Sequence, residues 1–243
     1  MCNTHPRIRL TMEFNNFHMI ESPCWFYNGW IWAKWYREHR RDFRNFHPAP
    51  PYVVTPRAQG FVRSYLDGIN RFDRKLVNAD MIQAALQEAW GGPYIVGDKM
   101  PSYVFDLGRL VRHRDLTCVM MYRDVRDVAA SVLRAIKIMW SRKVFARELN
   151  SVRKVARGWL QAMNMINRFR SDILLIRYED LIQDPQRELG RLAERIGVDP
   201  GGFSVNSVDA LNAGKHRELL TGRQIALLRK WTAPVLEDFG YAV

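Results

Sequence analysis

Cysteine is scarce and unpaired in this sequence. Three occur in 243 residues, Cys2, Cys24 and Cys118, and none stands in a C-x-x-C spacing. That speaks against a disulfide framework or a cysteine-held metal, and makes the reducing cytoplasm the expected compartment. No apolar run is long enough to span a bilayer, and the opening residues lack the apolar stretch of a signal peptide. The aromatic cluster from Trp25 to Tyr36 is interrupted by Asn28, Gly29 and Lys34; its four tryptophans read as a cleft wall or packed surface rather than an anchor. Negative charge is also short. Asp and Glu number 25 against 37 Lys and Arg, a net charge of +12. A surplus of this size implies anionic partners, although part of it is ordinary solvated arginine. Nucleic acid is not indicated, because there is no zinc-finger spacing, no heptad repeat after a basic region and no base-stacking aromatic motif. The carboxylates show no spacing that would hold a metal.

What is present is an ordinary globular composition, 47% hydrophobic, in a chain of single-domain length. Ile8, Leu10 and Met12 alternate weakly. The stretch HPAPPYVVTP (47–56) must be loop or extended chain. Helical spacing runs through 61–70 and 77–90, the second stopped by Gly91-Gly92-Pro93. Tyr94 to Val96 reads as a short strand, 102–112 and 144–169 as helices, and Ile173 to Ile176 as another strand. Pro185 suits the first turn of a helix that runs to Ile196 and closes at Gly197. Residues 198–220 are loop-rich, and a last helix spans 222–239. Strands alternating with helices imply an α/β fold with a parallel sheet in three layers.

The most informative stretch is LTCVMMYRDVRDVAASVLRA (116–135). Leu116 to Tyr122 is a buried-strand pattern; after Arg123-Asp124 the period changes, and Val125, Val128, Ala129, Val132, Leu133 and Ile136 recur at helical spacing. Asp124 suits the N-cap. Arg123 therefore sits at the carboxyl end of a strand, where open α/β sheets bind ligands, with Ser131 in the early turns of the next helix. A guanidinium and a hydroxyl converging there suit a phosphate. The alternative is that the Arg-Asp-x-Arg-Asp run pairs with itself at the helix cap.

Taken together, GDKMP (97–101), YRDVRDVAAS (122–131), RYEDLIQDP (177–185) and FGY (239–241) resemble the sulfotransferases that use 3′-phosphoadenosine 5′-phosphosulfate, PAPS. The likeness is closest to the branch containing bacterial enzymes and the tyrosylprotein sulfotransferases. It covers about residues 1 to 200, and the remainder more loosely. It implies one sulfotransferase-like domain over 1–243 with a P-loop-like α/β/α fold, PAPS as cosubstrate, no metal, and a hydroxyl-bearing acceptor that is a small molecule, glycan or peptide. Arg123 and Ser131 match the pair that binds the 3′-phosphate. Tyr178 matches a residue near the nucleotide, with a half-buried tyrosine at a strand end as the alternative. Lys215 matches a basic residue that closes over the 3′-phosphate from a C-terminal loop. Lys99 matches a catalytic lysine that neutralises charge on the bridging oxygen as the sulfuryl group departs.

Within NTHPRIRLTMEF (3–14), Glu13 aligns with the glutamate that is catalytic base in the tyrosylprotein branch. His5, His18 and Glu21 are the rival bases; the cytosolic branch uses a histidine close after the lysine, where this chain has Pro101. One departure is large. The family's phosphosulfate loop and its strand are absent, and by the likeness they belong before Met1. Met1-Cys2-Asn3 fits the end of the helix that loop opens, which favours a start at an internal methionine over a lineage that has lost loop and catalysis. The rival function is a non-catalytic remnant of the fold that binds a nucleotide or partner through its basic face; a nucleotide kinase gains no support from a chain without the loop.

Overall fold

The computed structural model describes residues 2–39, 57–141, 146–207 and 213–242, with the backbone alone for 32–39 and 57–59. Two compact units result: Met1–Thr117 with Gly190–Ser207, and Cys118–Leu189 with Val208–Val243.

In the first unit, β1 (Ile8–Met12) is followed by α1 (Cys24–His39), α2 (Arg57–Asn70) and α3 (Ala79–Trp90), then β2 (Ile95–Lys99). The helices lie between two strands that pair in parallel, in a register that sets Ile8 beside Ile95 and Met12 beside Lys99. A parallel pair needs such a long crossover. Tyr27 and Ile31 of α1, Val62, Tyr65 and Ile69 of α2, and Met81, Ile82, Ala85 and Leu86 of α3 are buried at helical spacing. At the start of α1, by contrast, Trp25 is 77% exposed, so the aromatic cluster is part packed and part surface. Its residues beyond Ile31, and the proline-rich 47–56 stretch, lie outside what is described at side-chain level. Two sequence expectations change their bounds here. Residues 102–112 begin as a 3-10 turn over Pro101–Asp106 and become α-helical only in α4 (Leu107–Leu110), which turns Tyr103, Val104, Leu107 and Leu110 inward. The strand expected at 94–96 reaches Lys99, because Gly97, Asp98 and Lys99 find partners in Leu10, Thr11 and Met12.

The second unit opens with β3 (Val119–Tyr122), α5 (Val125–Ala135), α6 (Ala146–Leu149), α7 (Val152–Arg168) and β4 (Leu174–Arg177), then α8 (Tyr178–Gln183) and the start of α9 (Pro185–Ile196), whose residues from Gly190 on belong to the first unit. α10 (His216–Leu219) and α11 (Gly222–Asp238) follow. β3 and β4 again pair in parallel, Val119 beside Leu174 and Tyr122 beside Arg177. The α/β class with parallel strands is the one the alternation implied, and among the described residues the strands come as one pair in each unit. α7 packs on α5 and α11 through Val155, Trp159, Met163 and Ile166, spaced for one helical face. The helix expected over 144–169 is broken at Asn150-Ser151, where the Ser151 hydroxyl accepts the Lys154 N–H and caps a new start. Among the described residues, no helix is long and apolar enough to cross a membrane.

Candidate functional site

The second unit holds a cavity of about 350 Å³ at the carboxyl end of β3, within the size range of small-ligand sites. One stripe of α5 faces it: Asp127, Ser131, Arg134 and Ala135 follow the helical period, and Ile138 continues it beyond the helix end. The opposite stripe, Val125 and Ala129, is buried. The amphipathic pattern that makes the helix thus also aims Ser131. Arg123 and Lys215 line the same cavity, and Met139 and Leu219 add an apolar side.

The Arg-Asp-x-Arg-Asp run divides its labour. Asp124 caps α5 by accepting the Arg126 N–H at 2.8 Å and holds the Arg126 guanidinium, its Nε at 2.9 Å, so this half of the run does pair with itself. Arg123 goes elsewhere: Nη2 stands 3.1 Å from Asp127 Oδ2. Its guanidinium lies 4.9 Å above the Tyr178 ring, a cation–π contact that orients it. Its carbonyl accepts the Trp159 indole N–H at 2.9 Å. Tyr178 is the first residue of α8, and this contact with Arg123 is where the structure places it. Asp127 also collects the turn that carries Lys215, accepting from Gly214 N at 2.8 Å and from His216 N at 3.0 Å. Burial raises the Asp127 carboxyl, but the Gly214 and His216 hydrogen bonds and the Arg123 charge outweigh it and leave it below its ordinary value.

The first unit holds Glu13 and Lys99. Parallel register ends with Met12 beside Lys99, so Glu13 is the next residue out, and its N–H donates to the Lys99 carbonyl at 2.8 Å. Lys99 Nζ meets Glu13 Oε1 at 3.0 Å, both side chains about half exposed. Glu13 has φ +60° and Asn15 φ +66°, left-handed conformations that cost free energy in residues other than glycine. What stabilises them is Asp98. Its Oδ1 accepts from Thr11 Oγ1 at 2.8 Å and Phe14 N at 3.1 Å. Its Oδ2 accepts from Asn15 N at 2.6 Å and the Tyr103 hydroxyl at 2.7 Å. Burial pushes the Asp98 carboxyl above its ordinary value despite those four donors.

The rival bases have other partners. Both ring nitrogens of the buried His5 are engaged, with the Asp199 carbonyl at 2.9 Å and the Arg7 N–H at 3.1 Å. His18 Nδ1 is 2.7 Å from Asp106, and Glu21 faces Arg112 and His113. Among the described residues, no group of three or more His, Cys, Asp and Glu side chains is arranged to hold a metal ion. Four residues escaped the sequence reading: Asp98, Asp127, Arg134 and His216. For two of them a signal existed. Asp127 lies one helical turn from Arg123, and Arg134 lies on the Ser131 stripe; the roles of Asp98 and His216 depend on partners distant in sequence.

A sequence profile of the sulfotransferase family matches residues 1–200. Among solved structures, the sulfotransferase domain from the curacin biosynthetic pathway superposes with a TM-score of 0.51 at 18% identity, over 76% of this chain and 74% of that one. At that identity the likeness speaks for the fold. No curated protein matches the chain. With the profile spanning residues 1–200 of 243, the chain belongs to the sulfotransferase family.

Proposed function

We propose that this chain moves a sulfuryl group from PAPS to the hydroxyl of an acceptor. The observation that carries the reading is the cavity in which Arg123, Ser131 and Lys215, three residues the sequence nominates for the 3′-phosphate, come together. Two cations and a hydroxyl around one space suit a phosphate dianion, and Arg134 adds a third cation there. Residues 1–243 are assigned to one catalytic domain that needs no metal and works in the cytoplasm.

The transfer step is assigned to Glu13 and Lys99. The acceptor oxygen attacks sulfur in line as the bond from sulfur to the bridging oxygen breaks, and 3′-phosphoadenosine 5′-phosphate, PAP, departs. Glu13 takes the hydroxyl proton; Oε1 faces Lys99, and Oε2 is the oxygen assigned to the proton. Lys99 neutralises the charge that grows on the bridging oxygen. Positioning and charge neutralisation supply most of the rate, as in phosphoryl transfer. The tryptophan-bearing start of α1 and the arginine surplus fit an aromatic, glycan or acidic peptide acceptor.

Calorimetric titration with PAP and with adenosine 5′-phosphate tests the donor site. The expected result is a preference of about tenfold or more for PAP, or about 1.4 kcal/mol, lost in Arg123→Ala and kept in Glu13→Gln. Equal affinity for the two nucleotides in the unaltered chain sinks the reading.

A further inference from the structure

A carboxylate in the wall of an anion site demands an explanation. Asp127 is 3% exposed, yet it borders the cavity beside Arg123, Ser131, Arg134 and Lys215. By charge alone it repels a phosphate. Held below its ordinary value, the carboxyl is ionised at neutral pH, so the repulsion is not relieved by a proton.

Its oxygens show what it does instead. Oδ1 accepts from the His216 N–H at 3.0 Å and faces His216 Nδ1 at 2.8 Å. Oδ2 accepts from Gly214 N at 2.8 Å and stands 3.1 Å from Arg123 Nη2. The residues so gripped are the two on either side of Lys215 and the arginine that lines the cavity with it. The turn needs an outside hold. Gly214 has φ +77°, and α10, which starts at His216, has only four residues and none of them buried. A helix that short has little stability of its own.

We infer that Asp127, with His216 as its partner, is a positioning residue that fixes the Gly214-Lys215-His216 turn and the Arg123 guanidinium around the cavity before the nucleotide arrives. The inference rests on the reading of this cavity as the 3′-phosphate site. Its physical content is preorganisation: a lysine on a tethered turn loses less freedom on binding than one on a loose loop. The buried carboxylate weakens the local positive potential and in exchange holds two of the groups that create it.

The two effects of Asp127 have opposite signs, which makes one substitution decisive. Asp127→Asn removes the negative charge, keeps the shape, and leaves one oxygen to do the work of two. If Asp127 acts only through charge, PAP binds the variant more tightly. If it acts by positioning, PAP binds about tenfold or more weakly, or about 1.4 kcal/mol, while adenosine 5′-phosphate, which lacks the 3′-phosphate, changes little. His216→Gln should weaken PAP in the same selective way by a smaller factor, and Asp127→Glu, which restores the carboxylate, should recover part of the loss. Amide hydrogen exchange over 213–219 reads the tether without any ligand: it should speed up in Asp127→Asn and His216→Gln while exchange in α7 stays as it was. His216→Gln also serves if Asp127→Asn does not fold. Unchanged or tighter PAP binding in a folded variant, or unchanged exchange over 213–219, overturns the positioning role. A wild-type chain that does not discriminate PAP from adenosine 5′-phosphate overturns the donor-site reading instead, and the inference falls with it.

Discussion

At the scale of single residues, Asp127 and Asp98, each beside proposed functional groups, do similar work. Asp127 ties a distant turn to α5, and Asp98 ties the chain after β1 to the end of β2. The Asp98 carboxylate satisfies two backbone N–H groups and two hydroxyls at once, and the positive φ of Glu13 and Asn15 persists because of it. Asp98→Ala removes the acceptor and leaves the donors of Phe14, Asn15 and Tyr103 enclosed, at about 1–3 kcal/mol for each that finds no water. The expected loss is about 2–4 kcal/mol in urea unfolding, whereas Thr11→Val, which removes one donor along with its bond, should cost about 1 kcal/mol. Equal, small losses for both would mean that Asp98 is no organiser. Lys99 is nominated by its place in G-D-K-M-P. Nothing local says that the carboxylate of its neighbour Asp98 meets Thr11, Phe14 and Asn15.

Elements were the most legible scale. The change of period at Arg123-Asp124, Pro185 opening α9 and the run from Gly222 are local signals, and the corresponding helices begin where those residues stand. One shortfall, the 3-10 turn before α4, came where a residue's partners lie outside its own element, since the Tyr103 hydroxyl meets Asp98 and Phe17; the other, the break at Ser151, is a local cap. Packing between α2 and α3 supplies a test in which propensity and packing oppose each other. Alanine is a better helix former than glycine by about 1 kcal/mol. At Gly68, however, a Cβ would stand 2.9 Å from Ala85 Cβ and 3.0 Å from Ala85 Cα, and backbone cannot step aside as a side chain can. Overpacking of that kind costs about 1–3 kcal/mol. Gly68→Ala should therefore lower the midpoint of thermal unfolding, with nucleotide affinity unchanged. A raised midpoint would show that the two helices separate at little cost.

For the whole molecule, a net charge of +12 acts on any anionic ligand before contact is made. The cavity concentrates that tendency in Arg123, Arg134 and Lys215. Screening shortens the reach of such charges from about 10 Å at 0.1 M salt to about 3 Å at 1 M. PAP affinity should fall steadily as sodium chloride rises across that range, and fall more steeply than that of adenosine 5′-phosphate, which carries fewer charges. Parallel salt dependence for the two nucleotides would assign the effect to the surface at large rather than to the cavity.

From the sequence by itself came the α/β class, the family likeness, the helix that aims Ser131, and the cationic residues nominated for an anion site. All of these reside in the order and spacing of residues near one another along the chain, where periodicity, caps and short motifs act. Only the tertiary structure decided that Arg123 turns to Asp127 while its neighbour Asp124 takes Arg126, and that Glu13 reaches Lys99 through a turn held by Asp98. The same holds for the Lys215 turn, which docks on α5 through His216. The first is a choice between partners within one helical turn, and the other two are hydrogen bonds between segments far apart in sequence. At the centre of each stands an enclosed aspartate that must find partners somewhere, and the local pattern does not say where.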